Sequence, residues 1–236
     1  MSCLLYNMTK RIFAIVSSFF AILLISPVWF VIAAGIKLSS PGPVFYRAVR
    51  VGKNHKNFTL YKFRSMHIYQ PKKGSNKIAE GGYIANENRI FKFGGFLRRT
   101  KLDELPQLMN VFLGEMSVVG PRPISKEGVD RHYSGEYANV LSVKPGLACL
   151  ESLFDYAHGE LFVKNNDEYA KKVAPVRDEL ASMYVNLQSV KMDLYCILRT
   201  FYLIWQIGFM KKKQFQYTEY EKDAIIKVFG SCEEAV

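Results

Sequence analysis

A chain of 236 residues is long enough for one domain with a substantial core. Its formal charge of +11 is uneven: no acid occurs before Glu80, so that basic half favours an anionic membrane surface or phosphorylated substrates, with nucleic acid as the competing partner. Cys3, Cys149, Cys196 and Cys232 are scattered, which excludes a disulfide framework and a cysteine zinc site and suits a reducing compartment.

Residues 12–36 hold no charge, with Lys10 and Arg11 before them and Lys37 after. That length crosses a bilayer, and it is too long for a signal peptide. The residues alone favour a straight span. Ser26 and Pro27 sit near its middle, where proline frees a backbone carbonyl that Ser26 can satisfy. Both flanks are positive, so the positive-inside rule selects no orientation. Ser39 to Pro43 is a turn cluster, with a short strand at 44–46 and a basic turn region at 47–57. Residues 58–66 begin with alternating polarity and predict a second strand. Lys62 and Arg64 on it are either solvated edge cations or groups that hold phosphate or a neighbouring helix. Residues 70–88 are polar and glycine-rich and predict a loop.

The most informative run is 98–123. Leu105, Leu108, Val111 and Phe112 recur at helical spacing, predicting one buried face, and Gly114 fits a helix stop. Pro106 is tolerated only in a first turn, so the helix is expected to start at about Asp103. Asp103 and Glu104 would then lie at the positive end of the helix dipole, ionised and about 100° apart. One reading makes Asp103 an N-cap only. The other takes its setting among Arg98, Arg99, Lys101 and Arg122 as a site for an anionic substrate, with a carboxylate acting as nucleophile or metal ligand.

Residues 124–137 predict an exposed helix carrying His132 on the surface, and Lys144-Pro145-Gly146 a turn. A charged helix is expected at 167–184. Leu194, Ile197, Leu198, Phe201 and Trp205 form an amphipathic stripe ahead of Lys211 and Lys212, suited to core packing or to a membrane interface. From Gln214 onward a loosely attached tail is expected.

The stretch 96–123 reads FLRRTKLDELPQLMNVFLGEMSVVGPRP. It resembles the bacterial sugar transferases, the monotopic polyprenyl-phosphate phosphoglycosyl transferases, whose pattern is FLRRT-LDELPQL-NV-GDMS-VGPRP. Lys101 and Glu115 are mild departures, and 62–66 matches the family's KFRSM. The resemblance implies transfer of a sugar-1-phosphate from a nucleotide diphospho-sugar, uridine by family habit, to polyprenyl phosphate. This is the first membrane step of a bacterial surface glycan. It implies Asp103 as the nucleophile that forms an aspartyl-phosphosugar, Glu104 as its partner, and Mg²⁺ held by the two. Lys62, Arg64, Arg98 and Arg122 are the expected phosphate-binding residues. Ser26 and Pro27 match the family's helix break, which implies a re-entrant helix returning to the same face.

The expected fold is α/β, mostly helical with a small sheet. A membrane-embedded segment covers 1–38, a single catalytic domain 39–213 and the tail 214–236. The catalytic domain is expected on the cytoplasmic face of the bacterial inner membrane, docked by amphipathic interface helices. Membrane lipids are the implied surroundings, a homodimer is compatible, and nucleic acid is not an expected partner. The alternative is a membrane-attached scaffold of the same fold without activity. After Pro145-Gly146 the family reads TGWAQVNGRN, whereas this chain runs from Leu147 to Tyr156 as LACLESLFDY, so donor identity does not carry over.

Overall fold

The computed structural model describes residues 3–68, 89–159, 163, 165–212 and 214–231; the polar loop expected at 70–88 lies outside them. Helix α1 (Cys3–Ser39) is continuous over 37 residues, with Pro27 inside it. The carbonyl that Pro27 cannot engage is that of Leu23, four residues back. Ser26 Oγ donates to that carbonyl at 2.9 Å. The Ser-Pro pair therefore marks a repair in the ladder, and the helix does not end there.

Among the described residues, one helix is long and apolar enough to cross a membrane, and only 11% of its most apolar stretch is buried. Leu24 and Phe30 point fully outward. Unpartnered apolar surface of this extent favours membrane association.

Both ends of α1 nonetheless pack on the rest of the chain. Near the start, Arg11 donates to Val111 O at 2.7 Å and to Phe112 O at 3.0 Å. Ala14 joins a core cluster with Phe58, Leu60, Val111 and Met116. Near the end, Ile32 and Ile36 enter a second cluster with Phe63, Phe91 and Leu97.

Strands β1 (Phe45–Val51) and β2 (Asn57–Phe63) form an antiparallel hairpin in which Tyr46 faces Lys62 and Ala48 faces Leu60. Because side chains alternate along a strand, Lys62 shares a face with the buried Phe58 and Leu60. Helix α2 (Lys92–Arg99) leads to a 3₁₀ turn (Leu102–Glu104) and then to α3 (Gln107–Leu113). Asn110 on α3 is fully buried. Its amide donates to Thr59 O at 2.7 Å, and its carbonyl accepts from Tyr61 N at 3.2 Å, which fixes α3 against β2. Gly114 ends α3 at φ 88°, a left-handed conformation that glycine adopts without strain.

Strand β3 (Ser117–Val119) pairs in parallel with β4 (Gly146–Ala148). The predicted helix at 124–137 is a shorter α4 (Lys126–His132) followed by a 3₁₀ stretch (Gly135–Ser142). The largest core gathers α5 (Leu150–His158), α7 (Ala174–Asn186), α8 (Val190–Leu203) and α9 (Glu219–Phe229). A short α6 (Asn166–Glu168) and a wide π turn (Tyr169–Val173) feed α7, while a second π turn (Ile204–Phe209) extends α8.

Two expectations about faces and ends are corrected, and the stripe on α8, left open between core and interface, takes the outward alternative. On α3, Gln107, Asn110 and Val111 face inward while Phe112 and Leu113 face outward, continuous with α1 through a Phe19–Phe112 ring contact at 6.3 Å. The apolar α3 residues were expected inside because period alone cannot separate a protein core from a lipid-like surrounding. The stripe on α8 likewise points outward at Leu194, Leu198, Phe201 and Trp205, and the core face is Met192, Cys196 and Leu203. The expected loose tail is a docked helix. A capping box of Thr218 and Glu221 starts α9, and Ala224 and Ile225 are fully buried.

Candidate active site

The site is assembled where the α2–α3 connection meets β2 and the Pro121-Arg122-Pro123 turn. Lys101 opens the 3₁₀ turn at φ 55°, a left-handed conformation uncommon for a side-chain-bearing residue. Asp103 and Glu104 follow inside that turn. The α-helix begins only at Gln107, with Pro106 before it, so neither acid caps α3 or sits at its first turn. At three residues per turn the two carboxylates diverge by about 120°. The N-cap reading of Asp103 and the dipole expectation both fall for the same reason: the chain coils more tightly, and earlier, than the periodicity implied.

The divergence gives the acids different surroundings. Glu104 Oε1 accepts from Lys62 Nζ at 2.8 Å and from Arg122 Nη2 at 3.1 Å. Burial opposes its charge, but Lys62, Arg122 and Lys101 outweigh burial and hold its pKa well below the carboxylate range. Asp103 is 5% exposed, and its Oδ1 meets no hydrogen-bond partner among the described residues. Burial pushes the Asp103 pKa upward, opposed first by Lys62 and less by Lys101 and Arg98. The pair is thus split into a cation-clamped carboxylate and an unsatisfied one, the arrangement expected when two acids have different tasks.

The cations differ as well. Burial lowers the Lys101 pKa to about 8, opposed by Glu104. Its ammonium lies 4.5 Å from the centre of the Tyr156 ring, whose hydroxyl donates to Arg99 O. Burial lowers Arg98 too, while the neighbouring Asp103 supports its charge. Glu104 raises Arg122. Of the expected phosphate-binding residues, Lys62, Arg98 and Arg122 surround the acids.

Arg64 does not join them. It is buried and donates through Nε to Pro43 O at 2.6 Å, through Nη1 to Ser40 Oγ at 2.8 Å and through Nη2 to Ser40 O at 2.7 Å. Its guanidinium is spent on the turn between α1 and β1. Its backbone N–H still bonds Val44 O at 2.8 Å, continuing the hairpin by one residue, but its side chain is claimed by Ser40 and Pro43. His132, expected on the surface, is half-buried and pairs with Asp178 at 2.7 Å.

Residues that sequence reasoning missed lie behind Arg122. The stretch from Leu147 to Tyr156 forms β4 and the first part of α5. It brings in Glu151, whose Oε1 accepts the Arg122 backbone N–H, and Asp155, which accepts from Tyr169 OH at 2.5 Å. Their spacing of four, acid to acid on one helix face, was the available signal.

Among the described residues no group of three or more His, Cys, Asp or Glu side chains could hold a metal. Of the two acids, Glu104 is engaged by Lys62 and Arg122, whereas Asp103 Oδ1 has no hydrogen-bond partner among the described residues and is the oxygen that could meet a divalent ion brought with phosphate and water.

Residues 5–206 match the family model described as bacterial sugar transferase. A UDP-glucose:undecaprenyl-phosphate glucose-1-phosphate transferase from Klebsiella pneumoniae is 35% identical over 208 residues, covering 87% of this chain and 41% of the relative. One of the same name from Escherichia coli (strain K12) is 43% identical over 143 residues, 60% of this chain and 30% of the relative. The chain thus spans less than half the length of these two. An exopolysaccharide production protein PSS from Rhizobium leguminosarum bv. phaseoli is 38% identical over 196 residues, 81% of this chain and 92% of the relative. With the acid pair, its cationic clamp and the match over most of the chain in agreement, this protein belongs to the bacterial sugar transferase family.

Proposed function

We propose that the protein is a phosphoglycosyl transferase that moves a sugar-1-phosphate from a nucleotide diphospho-sugar to polyprenyl phosphate, in bacterial surface glycan synthesis. The observation that carries the reading is the buried, unpartnered Asp103 Oδ1 beside a Glu104 already clamped by Lys62 and Arg122. The Asp103 carboxylate attacks the sugar-linked phosphorus. A bond forms from Asp103 oxygen to phosphorus, and the bond from phosphorus to the nucleoside monophosphate breaks. An oxygen of polyprenyl phosphate then attacks the same phosphorus, making the diphosphate link and releasing the carboxylate. Splitting the transfer in this way replaces one hard displacement by two easier ones.

Charge on the phosphoryl oxygens is met by Arg122, Lys62 and Arg98, preorganised around the acids. Asp103 and Glu104 would hold Mg²⁺, which supplies further neutralisation of phosphate charge when bound. Uridine as the donor base rests on the names of the relatives.

The membrane arrangement we favour is a re-entrant α1 in the inner membrane, with the catalytic body on the cytoplasmic face. Support comes from the positive flanks at both ends and from the packing of both ends on one body. The outward stripe of α8 and the exposed apolar residues of α3 suit the same interface. Protease mapping that put the two ends of α1 on opposite sides would defeat this topology.

The test of the reaction is purified protein with Mg²⁺, radiolabelled UDP-sugars and undecaprenyl phosphate. A labelled lipid product and released UMP are expected. Normal transfer by Asp103→Asn would end the nucleophile assignment.

A further inference from the structure

We propose that Glu151 is a positioning residue that sets Arg122 on Glu104; this deepens the transferase reading and rests on it. Glu151 is fully buried at the start of α5. One carboxylate oxygen accepts the backbone N–H of Arg122. The other accepts from Tyr133 OH at 3.0 Å and lies 4.0 Å from Arg177 Nη2. Arg177 is held in turn by Tyr169 OH at 2.6 Å and by Asp155 at 3.9 Å. Glu151 therefore has a fixed position before it meets Arg122.

The Arg122 segment needs such a hold. Its neighbours Pro121 and Pro123 carry no N–H, so the Arg122 N–H is the one backbone donor of the Pro-Arg-Pro turn. Gly120 just before it lies so close to the Lys144 carbonyl that any side chain there would overlap. The turn is thus pinned at Gly120 by backbone contact and at Arg122 by Glu151. With the backbone set, the guanidinium reaches Glu104 Oε1 at 3.1 Å. Glu151 touches no reacting group and acts only through Arg122. It lies in the stretch Leu147 to Tyr156, which differs from the family's TGWAQVNGRN.

The experiment uses full-length protein in lipid nanodiscs with Mg²⁺, undecaprenyl phosphate and UDP-glucose. Glu151→Ala is expected to lower kcat/KM about 10- to 100-fold, the scale of an ångström-sized misplacement. Glu151→Gln, whose amide oxygen can still accept the Arg122 N–H, should recover most of it. In an Arg122→Lys background, where the guanidinium is already absent, Glu151→Ala should cost less than about threefold. Equal losses in both backgrounds would overturn the proposal, as would failure of Glu151→Gln to rescue. If Glu151→Ala does not fold, Tyr133→Phe takes its place in the same cycle, with a smaller loss expected. A structure of Glu151→Gln or Tyr133→Phe in which Arg122 still meets Glu104 while Glu151→Ala also leaves that contact intact would likewise sink it. Absence of lipid-linked product from the wild type with every UDP-sugar of a donor panel would count against the transferase reading, whereas the Arg122–Glu104 contact tests this proposal without turnover.

Discussion

Two charged clusters lie on either side of Arg122, and they are built on opposite terms. In front, Asp103 and Glu104 stand among Lys62, Arg98, Lys101 and Arg122, cations in excess, with one carboxylate oxygen left unpartnered. Behind, Glu151 and Asp155 are matched by Arg177, Tyr133 and Tyr169. There Arg177 and Arg122 overcome burial to lower the Asp155 pKa, and the acids raise Arg177. A charge cluster whose carboxylates are both engaged serves the fold, even with Arg177 Nε left without a hydrogen bond among the described residues. One that leaves a deficit of negative charge suits a visitor that brings it, which under the proposed function is phosphate.

That contrast can be broken in four places. The largest effect is expected from Asp103→Asn, which would remove the proposed nucleophile and should lower transfer on the order of 10⁴-fold without lowering Tm; a retained rate would place the front cluster among the structural ones. Next is Arg177→Met behind Arg122. Leaving Glu151 and Asp155 without their buried cation should cost about 3–5 kcal/mol, read as a lower denaturant midpoint. A small change there would mean the rear cluster is not structural.

Lys62→Met should lower kcat/KM on the order of 10²-fold, because a preorganised cation at developing phosphoryl charge is lost. Its stability should change less than that of Arg177→Met, since Lys62 is partly exposed. The smallest effect concerns His158 on α5, beyond the rear cluster. Burial lowers its pKa from the ordinary 6.5 to about 4. The unfolded chain binds the proton more readily, so His158 contributes stability above pH 6.5 that is lost as pH falls toward 4. Urea titrations of the wild type and His158→Gln should show a shallower fall for the variant across that window.

The sequence made the front cluster readable because its parts are close together: the acids and three of the cations lie within 98–122, and Lys62 sits on a strand whose alternation is plain. What it hid was the coiling. Helical period carried the reading of 105–112 back to Asp103, while the chain uses a 3₁₀ turn that the same residue types permit. It also hid the rear cluster, since Glu151 and Arg177 are separated by 26 positions and meet only when α5 and α7 pack. Arg64 was misread because a strand pattern reports which face a side chain takes, but not which partners it meets there, in this case Ser40 and Pro43. The outward stripes of α3 and α8 share one cause: amphipathic spacing marks two unlike faces without saying which one is wet.

One consequence of the first helix remains. Ala14 is packed among Phe58, Leu60, Val111 and Met116, and Ile36 among Phe63, Phe91 and Leu97. Phe58, Leu60 and Phe63 lie on the strand that carries Lys62, and Leu97 and Val111 on the helices either side of the turn that carries the acid pair. The anchor is therefore also a roof beam: cutting it away would uncover greasy surface on both wings of the catalytic body. A version truncated of α1 should aggregate instead of running free, and detergent would be needed to keep the protein whole.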